Sequence, residues 1–583
     1  RCIVKSKQQV VVNIAGGSYR VAETIAFTYA DSGSSEYPVI YRAKNGEHVV
    51  LEAGEAVQGT VITDKDSIYK KLPQSMRSKV YKIDLSKHKT EDLGNLDAGG
   101  ANMGSQTTGA YGSIINLIYN DTMMKTASYP NIGSEHIISA VGENQFSLED
   151  TDVPVKSWDM SSGNGWVQTI ANNGYIYGQG KLVSYDSSTG MITGVNAPGF
   201  TFTVGGRVRF KNLPEFIDQP GEYIIDFNNK CIYFYSPDEK MLGSSYVTTF
   251  KKPIMSFENC ENVIIDGLTL QNGGGDGVQI NASKNCTVRN CTIKNLSGNG
   301  VNINSSTGIN VKDCNINNVG LNGVYIGDSG DHKTLTSDNN IVEGCDIYST
   351  GRTAPVGLLG IKLYNTTGTK LLKNRLHDIP HTAIMLTDST ACTVEKNEIY
   401  NAVNDTYDAG AIYIGASKFK GVGNVFKNNY IHDIYLTEDA KGGATVGLYW
   451  DDQVSGQTAF GNIFDDNSLG MLVGGGDWNT VDNNIFYKTR ASLTYDNRGH
   501  GWQAGSATNL VSQYESEVGV SNALWQNTYP YTKTLYEYAK AGDLEKINAP
   551  DRAVVKNNLS IEAPNFDLAQ AVKDNAKEVS NNI

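Results

Sequence analysis

A pattern of apolar and polar positions repeats every 23 residues in the middle of the chain. Each copy contains a run in which aliphatic or cysteine residues alternate with polar ones, followed by a run of the form Gly-Val-x-Ile. Alternation with period two predicts strands, and the Asn and Gly residues between the runs predict tight turns. A unit this short buries its apolar face only by stacking on its neighbours, which is typical of a parallel β-helix. The first runs are Asn262–Leu270, Asn285–Ile293 and Gly308–Ile316, and the second begin at Gly277, Gly300 and Gly323.

Both motifs continue in the later part of the chain at longer intervals. Positions equivalent to Cys314 return after up to 38 residues instead of 23, which predicts coils that carry extra loops. Insertions in a solenoid tend to collect on one functional face, and these lie between Asp328 and Val446 and after Phe486. The positions expected to replace Cys314 are Cys345, Asn374, Asn397, Asn429, Asn467 and Asn484, and those expected to replace Gly323 are Gly360, Ala383, Ala411 and Gly447.

The repeat predicts an all-β chain in three parts. Residues 1–64 contain short strand-like runs that begin the solenoid, and residues 65–250 are rich in β-forming residues without any repeat. Hairpin signals there, such as the turn Asn228-Asn229, predict an inserted antiparallel domain that resembles a β-sandwich. Residues 251–583 are expected to form the right-handed parallel β-helix, ending in loops, a helical stretch at Thr532–Ile547 and one last coil.

The charge of the chain excludes several classes of partner. The net charge is −13, and the lysines and arginines form no basic stripe, so nucleic acid is not an expected partner. The same charge disfavours a polyanionic polysaccharide. No apolar run approaches the roughly 18 residues of a membrane span, so no membrane association is expected. The chain is expected to be a monomer.

The eight cysteines are expected to be reduced. Cys291, Cys314 and Cys345 occupy equivalent apolar positions, which predicts small core side chains stacked in a ladder. The alternative, disulfides or a metal site, has little support because no Cys-x-x-Cys pair or Cys/His spacing is present. No cofactor is expected. A structural calcium ion at the acidic run Asp328–Asp338 is the alternative to a solvated loop there.

The outward side of the Gly-Val-x-Ile strands changes composition along the stack. In each run the two aliphatic side chains point inward, so the residue between them points out. Early coils present Gln279 and Asn302 at this position, whereas later coils present Tyr325, Tyr413 and Tyr449. Aromatic faces and hydrogen-bonding groups suit a sugar chain, which has apolar C–H faces and hydroxyls. The alternative is an ordinary exposed sheet with solvated tyrosines.

A series of short motifs extends over most of the chain. They are Gly16-Gly17-Ser18-Tyr19-Arg20, Asp31-Ser32-Gly33, Ser128-Tyr129-Pro130-Asn131, Pro220-Gly221-Glu222-Tyr223, Asp408-Ala409-Gly410-Ala411-Ile412-Tyr413, Tyr449-Trp450-Asp451-Asp452 and Gly474-Gly475-Gly476-Asp477-Trp478-Asn479. In this order they resemble the bacterial β-helix glycoside hydrolases of family 141. The resemblance implies hydrolysis of a plant cell-wall polysaccharide, with xylanase activity expected first and α-L-fucosidase activity on pectic glycans as the alternative. A bacterial protein that is secreted or displayed on the cell surface is expected from that class of substrate.

The resemblance assigns catalysis to Asp408 and Asp451, with Asp452 as the rival of Asp451. Glycosidic hydrolysis needs one protonated carboxylic acid and one carboxylate about 5–9.5 Å apart. Asp408 lies three residues before Ala411, whereas Asp451 lies four after Gly447, the equivalent position one coil on. Along a straight strand these seven steps span roughly 23 Å. Either the chain near Asp408 folds over the strand, or the two acids pair with other residues.

Substrate-binding residues are expected around these acids. The expected set is Lys362, Tyr364, His377, His381, Tyr413, His432, Tyr449, Asp477, Trp478 and Arg498. The lysine and the tyrosines occupy outward strand positions, the histidines should gather along one edge near Asp408, and the last three come from later loops. A histidine there can bind a sugar hydroxyl or tune the pKa of the acid. The alternative for the two His-Asp pairs is a turn motif that repeats with the coil.

Two other functions fit the same architecture. A polysaccharide lyase would use Lys362 as the base beside a uronic carboxylate, although no arginine cluster accompanies it in the sequence. A non-catalytic glycan-binding β-helix would have an aromatic and polar groove without an essential pair of acids.

Overall fold

The structure is a computed structural model that describes residues 8–94, 98–103, 115–195, 199–238, 240–241, 243–415, 418–436, 444–505, 509–564 and 566–583. Three long parallel sheets of 13, 12 and 12 strands form a right-handed β-helix, as the repeat predicted. Each regular coil contributes one strand to each sheet, so the three sheets form the three sides of the solenoid.

The strands follow the chain from sheet to sheet. The first sheet contains Val10–Ile14, Val39–Ala43, Val263–Asp266, Thr287–Arg289, Asn310–Lys312, Ile341–Glu343, Lys370–Leu372, Thr393–Glu395, Val425–Lys427, Thr458–Phe460, Thr480–Asp482, Val554–Lys556 and Glu578–Ser580. The second contains Gly17–Arg20, Val49–Glu52, Leu268–Gln271, Thr292–Leu296, Asn315–Val319, Asp346–Tyr348, Arg375–Ile379, Glu398–Ala402, Tyr430–His432, Ile463–Asp465, Ile485–Tyr487 and Leu559–Ile561. The third contains Ile25–Thr28, Met255–Glu258, Val278–Asn281, Val301–Asn304, Val324–Ser329, Ile361–Thr366, Ile384–Thr387, Ala409–Gly415, Thr445–Trp450, Leu469–Val473, Leu493–Tyr495 and Asp567–Leu568.

The 23-residue repeat corresponds to one coil of this solenoid. Val288 pairs with Val311 in the first sheet, and Ile293 pairs with Ile316 in the second. All four side chains are fully buried inside the solenoid. Because parallel neighbours are about 4.8 Å apart, equivalent residues of successive coils pack directly on one another and form a continuous apolar core.

Cysteines and then asparagines stack just before the second-sheet strands. The seven described cysteines are free and buried, as expected, and Cys2 lies outside the described residues. From Asn397 onward, each asparagine side-chain oxygen accepts from the backbone N–H of the asparagine one coil earlier. The expected member Asn467 is wrong, because it follows the strand Ile463–Asp465, whereas Asn462 precedes that strand and occupies the ladder.

The inserted domain interrupts the second coil, between its second-sheet and third-sheet strands. It begins earlier than residue 65, because Glu55–Ala56 and Gly59–Val61 already pair with strands of the insertion. Its sheets of four, five and eight strands are mostly antiparallel. Its strands are Glu55–Ala56, Gly59–Val61, Val80–Asp84, Gly99–Asn102, Leu117–Tyr119, Thr122–Met123, Lys125–Thr126, Ser128–Tyr129, Glu135–Val141, Gln145–Leu148, Trp166–Ile170, Ile176–Asp186, Met191–Gly194, Arg207–Lys211, Glu222–Asp226, Cys231–Tyr235 and Ser245–Val247.

The insertion packs against later coils of the solenoid. A buried apolar cluster joins Tyr177 of the insertion to Val356 of a solenoid loop. Arg209 of the insertion binds both carboxylate oxygens of Asp405. Since Asp405 lies three residues before Asp408, this ion pair anchors the segment that leads into the predicted catalytic residue.

A helical segment follows the third-sheet strand Leu493–Tyr495 and packs on the coils. The stretch expected to be helical contains two helices, which are separated by Gly542 in the left-handed conformation. No helix in the described part of the chain has the length and apolar character needed to cross a bilayer. The α-helices are Leu510–Gln513, Ala523–Thr528, Pro530–Ala541, Leu544–Asn548 and Gln570–Asn575, with a π-helix at Tyr514–Val518. Short 3₁₀ turns occur at Tyr29–Asp31, Lys44–Gly46, Gln74–Met76, Thr90–Leu93, Val155–Ser157, Met160–Ser162, Pro214–Phe216 and Arg498–His500.

The asparagine ladder predicts a stability effect. We expect Asn462→Ala to lower the free energy of unfolding by about 3 kcal/mol, because each buried group that loses its hydrogen-bond partner costs about 1–3 kcal/mol. The change removes the acceptor of the Asn429 side chain and the donor to the Phe426 carbonyl. Denaturant unfolding measures the effect, with Asn144→Ala in an exposed turn as the control. Equal effects of the two substitutions would contradict a structural role for the ladder.

Candidate active site

Asp408 and Asp451 lie at opposite ends of two paired strands of the third sheet. Asp408 directly precedes Ala409–Gly415, and Asp451 directly follows Thr445–Trp450. The two strands pair in register along their length, and the backbone N–H of Asp408 extends the ladder by donating to the Ala444 carbonyl at 2.7 Å. Asp408 itself has a left-handed backbone conformation, with φ of 51°, so the chain turns at this residue and side chains connect the two acids.

Tyr449 and Arg498 make that connection. The Tyr449 hydroxyl lowers the pKa of Asp408 as a donor, and the Arg498 guanidinium lies over the Tyr449 ring, 5.9 Å from its centroid. Arg498 also forms an ion pair with Asp451. Asp496 holds the guanidinium from the other side, through Nε at 3.0 Å and a terminal nitrogen at 2.8 Å. Arg498 thus pairs with both Asp451 and Asp496, and Tyr449 lies between this cluster and Asp408.

Asp451 accepts a hydrogen bond on each of its carboxylate oxygens. The Tyr413 hydroxyl donates to one oxygen at 2.8 Å, and Arg498 donates to the other. Burial, and then the charge of Asp451, raise the pKa of Tyr413 well above its ordinary value, so this tyrosine keeps the proton that it donates. A side chain at Gly474 would displace the Arg498 guanidinium from its present position. The cation and the donor stabilise negative charge on Asp451.

Asp408 and Asp452 have different surroundings. Desolvation and then the charge of Asp451 raise the pKa of Asp408 above its ordinary value, while the positive charge of Arg498 acts in the opposite direction. Desolvation by the surrounding protein and the charge of Asp451 also raise the pKa of Asp452, whose carboxylate accepts a hydrogen bond from Gln503. The site thus contains two carboxylates paired with Arg498, those of Asp451 and Asp496, and two carboxyl groups, those of Asp408 and Asp452, whose pKa is raised.

The tyrosines expected to hold a glycan are packed rather than exposed. Tyr413 is 6% exposed and Tyr449 is 4% exposed. Their rings meet edge to face with centroids 5.3 Å apart, and they share an apolar cluster with Leu359 and Met385. Their hydroxyls reach the acids while their rings are covered, so these residues position carboxylates instead of presenting a face to a sugar.

The insertion contributes a residue that the sequence did not indicate. Tyr175 lies in a turn of the insertion just before the strand Ile176–Asp186. Burial and then the charge of Asp408 raise the pKa of its phenol, with further contributions from Asp451 and Asp452. Tyr175 therefore lies within electrostatic reach of all three carboxyl groups. No sequence signal links it to them, because only the docking of the insertion on the coils brings it there.

The structure does not bring His377 and His432 together with the acids. Both lie on strands of the second sheet, whereas the acids flank strands of the third sheet. His377 stacks between Tyr348 and Tyr400, with ring centroids 4.8 and 4.7 Å away. The expectation that these histidines share an edge with Asp408 is corrected, because the repeat places them on another side of the solenoid.

His381 and Lys362 are buried next to each other. His381 is 0% exposed, and burial together with the charge of Lys362 lowers its pKa to about 3. It shares a hydrogen bond of 2.8 Å with the Thr406 hydroxyl, so its predicted contact with a glycan is corrected. Tyr364 is exposed and lies three strands from the coil of Asp451, which corresponds to roughly 14 Å along the sheet.

Asp477 and Trp478 lie at the helical segment instead of at the acids. Asp477 is fully buried with the Lys418 amine 4.0 Å from its carboxylate, and burial raises its pKa to about 7. Trp478 stacks on Tyr531 of the helical segment, with ring centroids 5.3 Å apart. Both contact the helical segment, and the expected contact of the partly exposed Trp478 with a glycan stays a prediction. Of the three residues predicted from later loops (Asp477, Trp478 and Arg498), Arg498 contacts one of the candidate catalytic acids, Asp451.

The described residues contain no group of three or more His, Cys, Asp and Glu side chains arranged to hold a metal ion. In the acidic loop considered for calcium, Asp338 is buried and accepts from the Thr369 hydroxyl at 2.6 Å and from the Asn340 backbone at 2.8 Å. This carboxylate therefore closes the turn of its own loop.

Comparison with known proteins identifies the fold family. Residues 222–356 and 359–525, just over half of the chain, match the family described as the right handed beta helix region. The chain belongs to this β-helix family. A search of curated protein sequences finds no match.

Two solved structures resemble this β-helix protein over most of its length. One is described as a glycoside hydrolase, with a TM-score of 0.64 and 14% identity over 84% of this chain and 90% of the other. The other is the complex of XylC with xylose, with a TM-score of 0.51 and 11% identity over 98% of this chain and 80% of the other. Identities this low establish the shared fold alone.

Burial of Asp408 and its repulsion by the charge of Asp451 predict that Asp408→Asn stabilises this β-helix protein at neutral pH. The raised pKa means that the folded state disfavours ionised Asp408, a penalty that the unfolded chain lacks. The penalty grows as the pH rises from the ordinary aspartate pKa through the folded-state pKa, and it vanishes below both. We expect a gain of about 0.5–2 kcal/mol in the free energy of unfolding at pH 7 and none near about pH 3.

Thermal or denaturant unfolding at the two pH values measures this gain. Asp567→Asn, which neutralises an exposed carboxylate at the end of the same sheet, is the control and should change little. A loss of stability in Asp408→Asn at pH 7 would contradict the prediction.

Proposed function

We propose that this protein is a glycoside hydrolase that cleaves a plant cell-wall polysaccharide, with xylan as the substrate, by a two-carboxylate mechanism. The observation that carries the proposal is the contrast between Asp408 and Asp451. The first is shifted toward its protonated form, and the second is paired with Arg498. Glycosidic hydrolysis requires such a combination of an acid and a carboxylate in different environments. The resemblance to family 141 points to the same two residues.

Asp408 is the proposed general acid. In its protonated form it transfers its proton to the glycosidic oxygen while the bond between that oxygen and the anomeric carbon breaks. The Tyr449 hydroxyl acts on this carboxyl group as a donor and lowers its pKa. Tyr175 of the insertion lies beside this acid and is the proposed contact to the sugar that leaves.

Asp451 is the proposed carboxylate partner, with Asp452 as its rival. It either attacks the anomeric carbon directly or removes a proton from the attacking water. Arg498 and Tyr413 hold both of its oxygens, which fixes its orientation. Arg498 is therefore a positioning residue for both acids.

Xylan and fucosylated pectin are the two candidate substrates. The similar structure of XylC holds xylose, which supports xylan, and the resemblance to family 141 leaves α-L-fucosidase activity as the alternative. A polymeric wall substrate cannot enter a cell. We therefore propose that the protein acts as a secreted or surface-displayed monomer.

Conservative substitutions test the two acids. Asp408→Asn and Asp451→Asn should each lower kcat/KM by about 10²–10⁴-fold, because the amide neither transfers a proton nor acts as a carboxylate, although its volume is nearly the same. Release of reducing sugar from a panel of xylans and fucosylated pectins provides the measurement, and Asp567→Asn is the folded control. Full activity in both single variants would contradict the assignment of Asp408 and Asp451 as the catalytic acids. A larger loss in Asp452→Asn than in Asp451→Asn would exchange the roles of those neighbours.

The positive charge of Arg498 predicts a change in the pH profile. This charge lowers the pKa of both Asp408 and Asp452, so Arg498→Gln should raise the pKa of each. We expect lower activity and a profile of kcat/KM whose alkaline limb moves to higher pH, because that limb reports the essential acid of the free enzyme, which is Asp408 in this proposal. Arg490→Gln, which removes an exposed arginine elsewhere, should leave the profile in place. A profile that moves to lower pH contradicts this electrostatic role.

A polysaccharide lyase is the second candidate function, and Lys362 is the observation that favours it. Burial lowers the pKa of this lysine to about 8, which makes the neutral amine accessible to base catalysis near neutral pH. Lys362 also lies two strands from Tyr413 in the same sheet. Ultraviolet absorbance of unsaturated products, followed in the same assays, distinguishes the two reactions. Binding of glycans without either product would favour a non-catalytic β-helix.

A further inference from the structure

A cavity of about 180 Å³ lies between the insertion and the coils. Trp166 and Lys211 line it from neighbouring strands of the insertion, and Lys125 lines it from a third strand. Arg352 lines it from the solenoid loop that follows the strand Asp346–Tyr348. None of these residues belongs to the network of acids described above.

The cavity is cationic. Among the described residues that line it, Lys125, Lys211 and Arg352 are the charged ones, and none is a carboxylate. None of the three forms an ion pair with a described residue. Burial, and then the charge of Arg209, lower the pKa of Lys211 to about 8; Arg352 acts in the same direction and Asp405 in the opposite one. The cations thus disfavour one another, and a bound anion would relieve that repulsion.

Hydrogen-bond donors converge on this cavity from one face of the insertion sheet. Trp166 is directly opposite Lys211 on neighbouring antiparallel strands, and Gln168 is opposite Arg209 two residues further on. Directly opposed residues, and those two apart, project from the same face of a sheet. Trp166 is 3% exposed, and its indole N–H has no acceptor among the described residues. A buried donor without an acceptor is unfavourable, and an anion in the cavity would supply one.

The cavity continues toward the candidate active site. An adjoining cleft of about 250 Å³ shares Lys211 and Arg352 with it and extends to Asp405. Asp405 lies three residues before Asp408 in the chain. One extended ligand can therefore occupy the cavity and reach toward the proposed general acid.

We propose that this cavity binds the carboxylate of an acidic sugar that branches from an otherwise neutral glycan. The binding site stands on its own observations, and its link to catalysis rests on the proposed function. A net charge of −13 opposes a polyanionic chain, but a single acidic branch would meet a local group of cations. Arginine pairs with a carboxylate through two parallel hydrogen bonds, and lysine adds a point charge.

Titration of the full chain with glucuronic acid, glucose and sodium sulfate, followed by ligand-observed NMR, tests the binding site. Glucuronic acid should bind about tenfold more tightly than glucose, which lacks the carboxylate. The double variant Lys211→Gln/Arg352→Gln should weaken the binding of glucuronic acid about tenfold, and added salt should weaken it in the wild type. The control Arg490→Gln/Lys573→Gln removes two exposed cations elsewhere and should leave binding unchanged.

Equal affinity for glucuronic acid and glucose, or unchanged affinity in the double variant, would overturn the proposal. Sulfate bound as tightly as glucuronic acid would assign the cavity to an inorganic anion and overturn its specificity for a sugar. Arg352 is exposed, so Arg352→Gln alone provides the test where the double variant does not fold.

The link to catalysis is tested with an acid-substituted glycan and the same glycan after carboxyl reduction. The ratio of kcat/KM between these substrates should fall about tenfold in the double variant, and an unchanged ratio overturns the link. The binding measurements need no hydrolysis. A wild-type protein that binds glucuronic acid but releases no sugar would therefore refute the proposed function while supporting the binding site.

Discussion

Each coil of the solenoid is stable only because it pairs in register with the coils on either side. This constraint places equivalent residues about 4.8 Å apart, so Tyr413 lies beside Tyr449 in one sheet and Asn429 beside Asn462 before another. It also confines large additions to the loops between strands, where both the insertion and the helical segment leave the stack. The sheets thus form a rigid scaffold, and the loops between the strands determine which side chains surround it.

The acid network uses this scaffold to hold like charges near one another. Asp408 and Asp451 flank paired strands, and the rigid register prevents them from relaxing apart. Arg498 is the cation that contacts this network, and it pairs with Asp451, so the carboxyls do not share its charge equally. Such unequal environments are common at functional sites, where perturbed pKa values are maintained at the expense of local stability. The ladders of buried asparagines and aliphatic residues in the same coils supply the stability that this arrangement requires.

Features that repeat along the chain could be predicted from the sequence, and features that depend on position around the coil could not. The alternation of apolar and polar residues correctly predicts which residues pair in the third sheet from Tyr325 through Tyr449. Every coil repeats the same alternation, so the pairing can be followed from one coil to the next. Spacing alone does not indicate which sheet carries a residue, so His377 was expected beside Asp408 although it lies on another side. Asp477 was expected in a groove because a polar residue in a loop has the same sequence signature whether it is buried or exposed. Asn462 and Asn467 flank one short strand, so composition alone does not indicate which of them occupies the ladder.

The insertion adds a second surface beside the stacked coils of the solenoid. It leaves the solenoid in the second coil, yet it docks beside Asp405 many coils later, where Arg209 holds that carboxylate. Tyr175 and the cationic cavity both lie at this contact, although their partners are distant in sequence. Local patterns determine the solenoid, whereas the interface between the insertion and the coils determines which residues surround the acids. A change at this interface would therefore alter the candidate site without altering the repeat, which is how related β-helices can keep one scaffold and differ in the ligands that they accept.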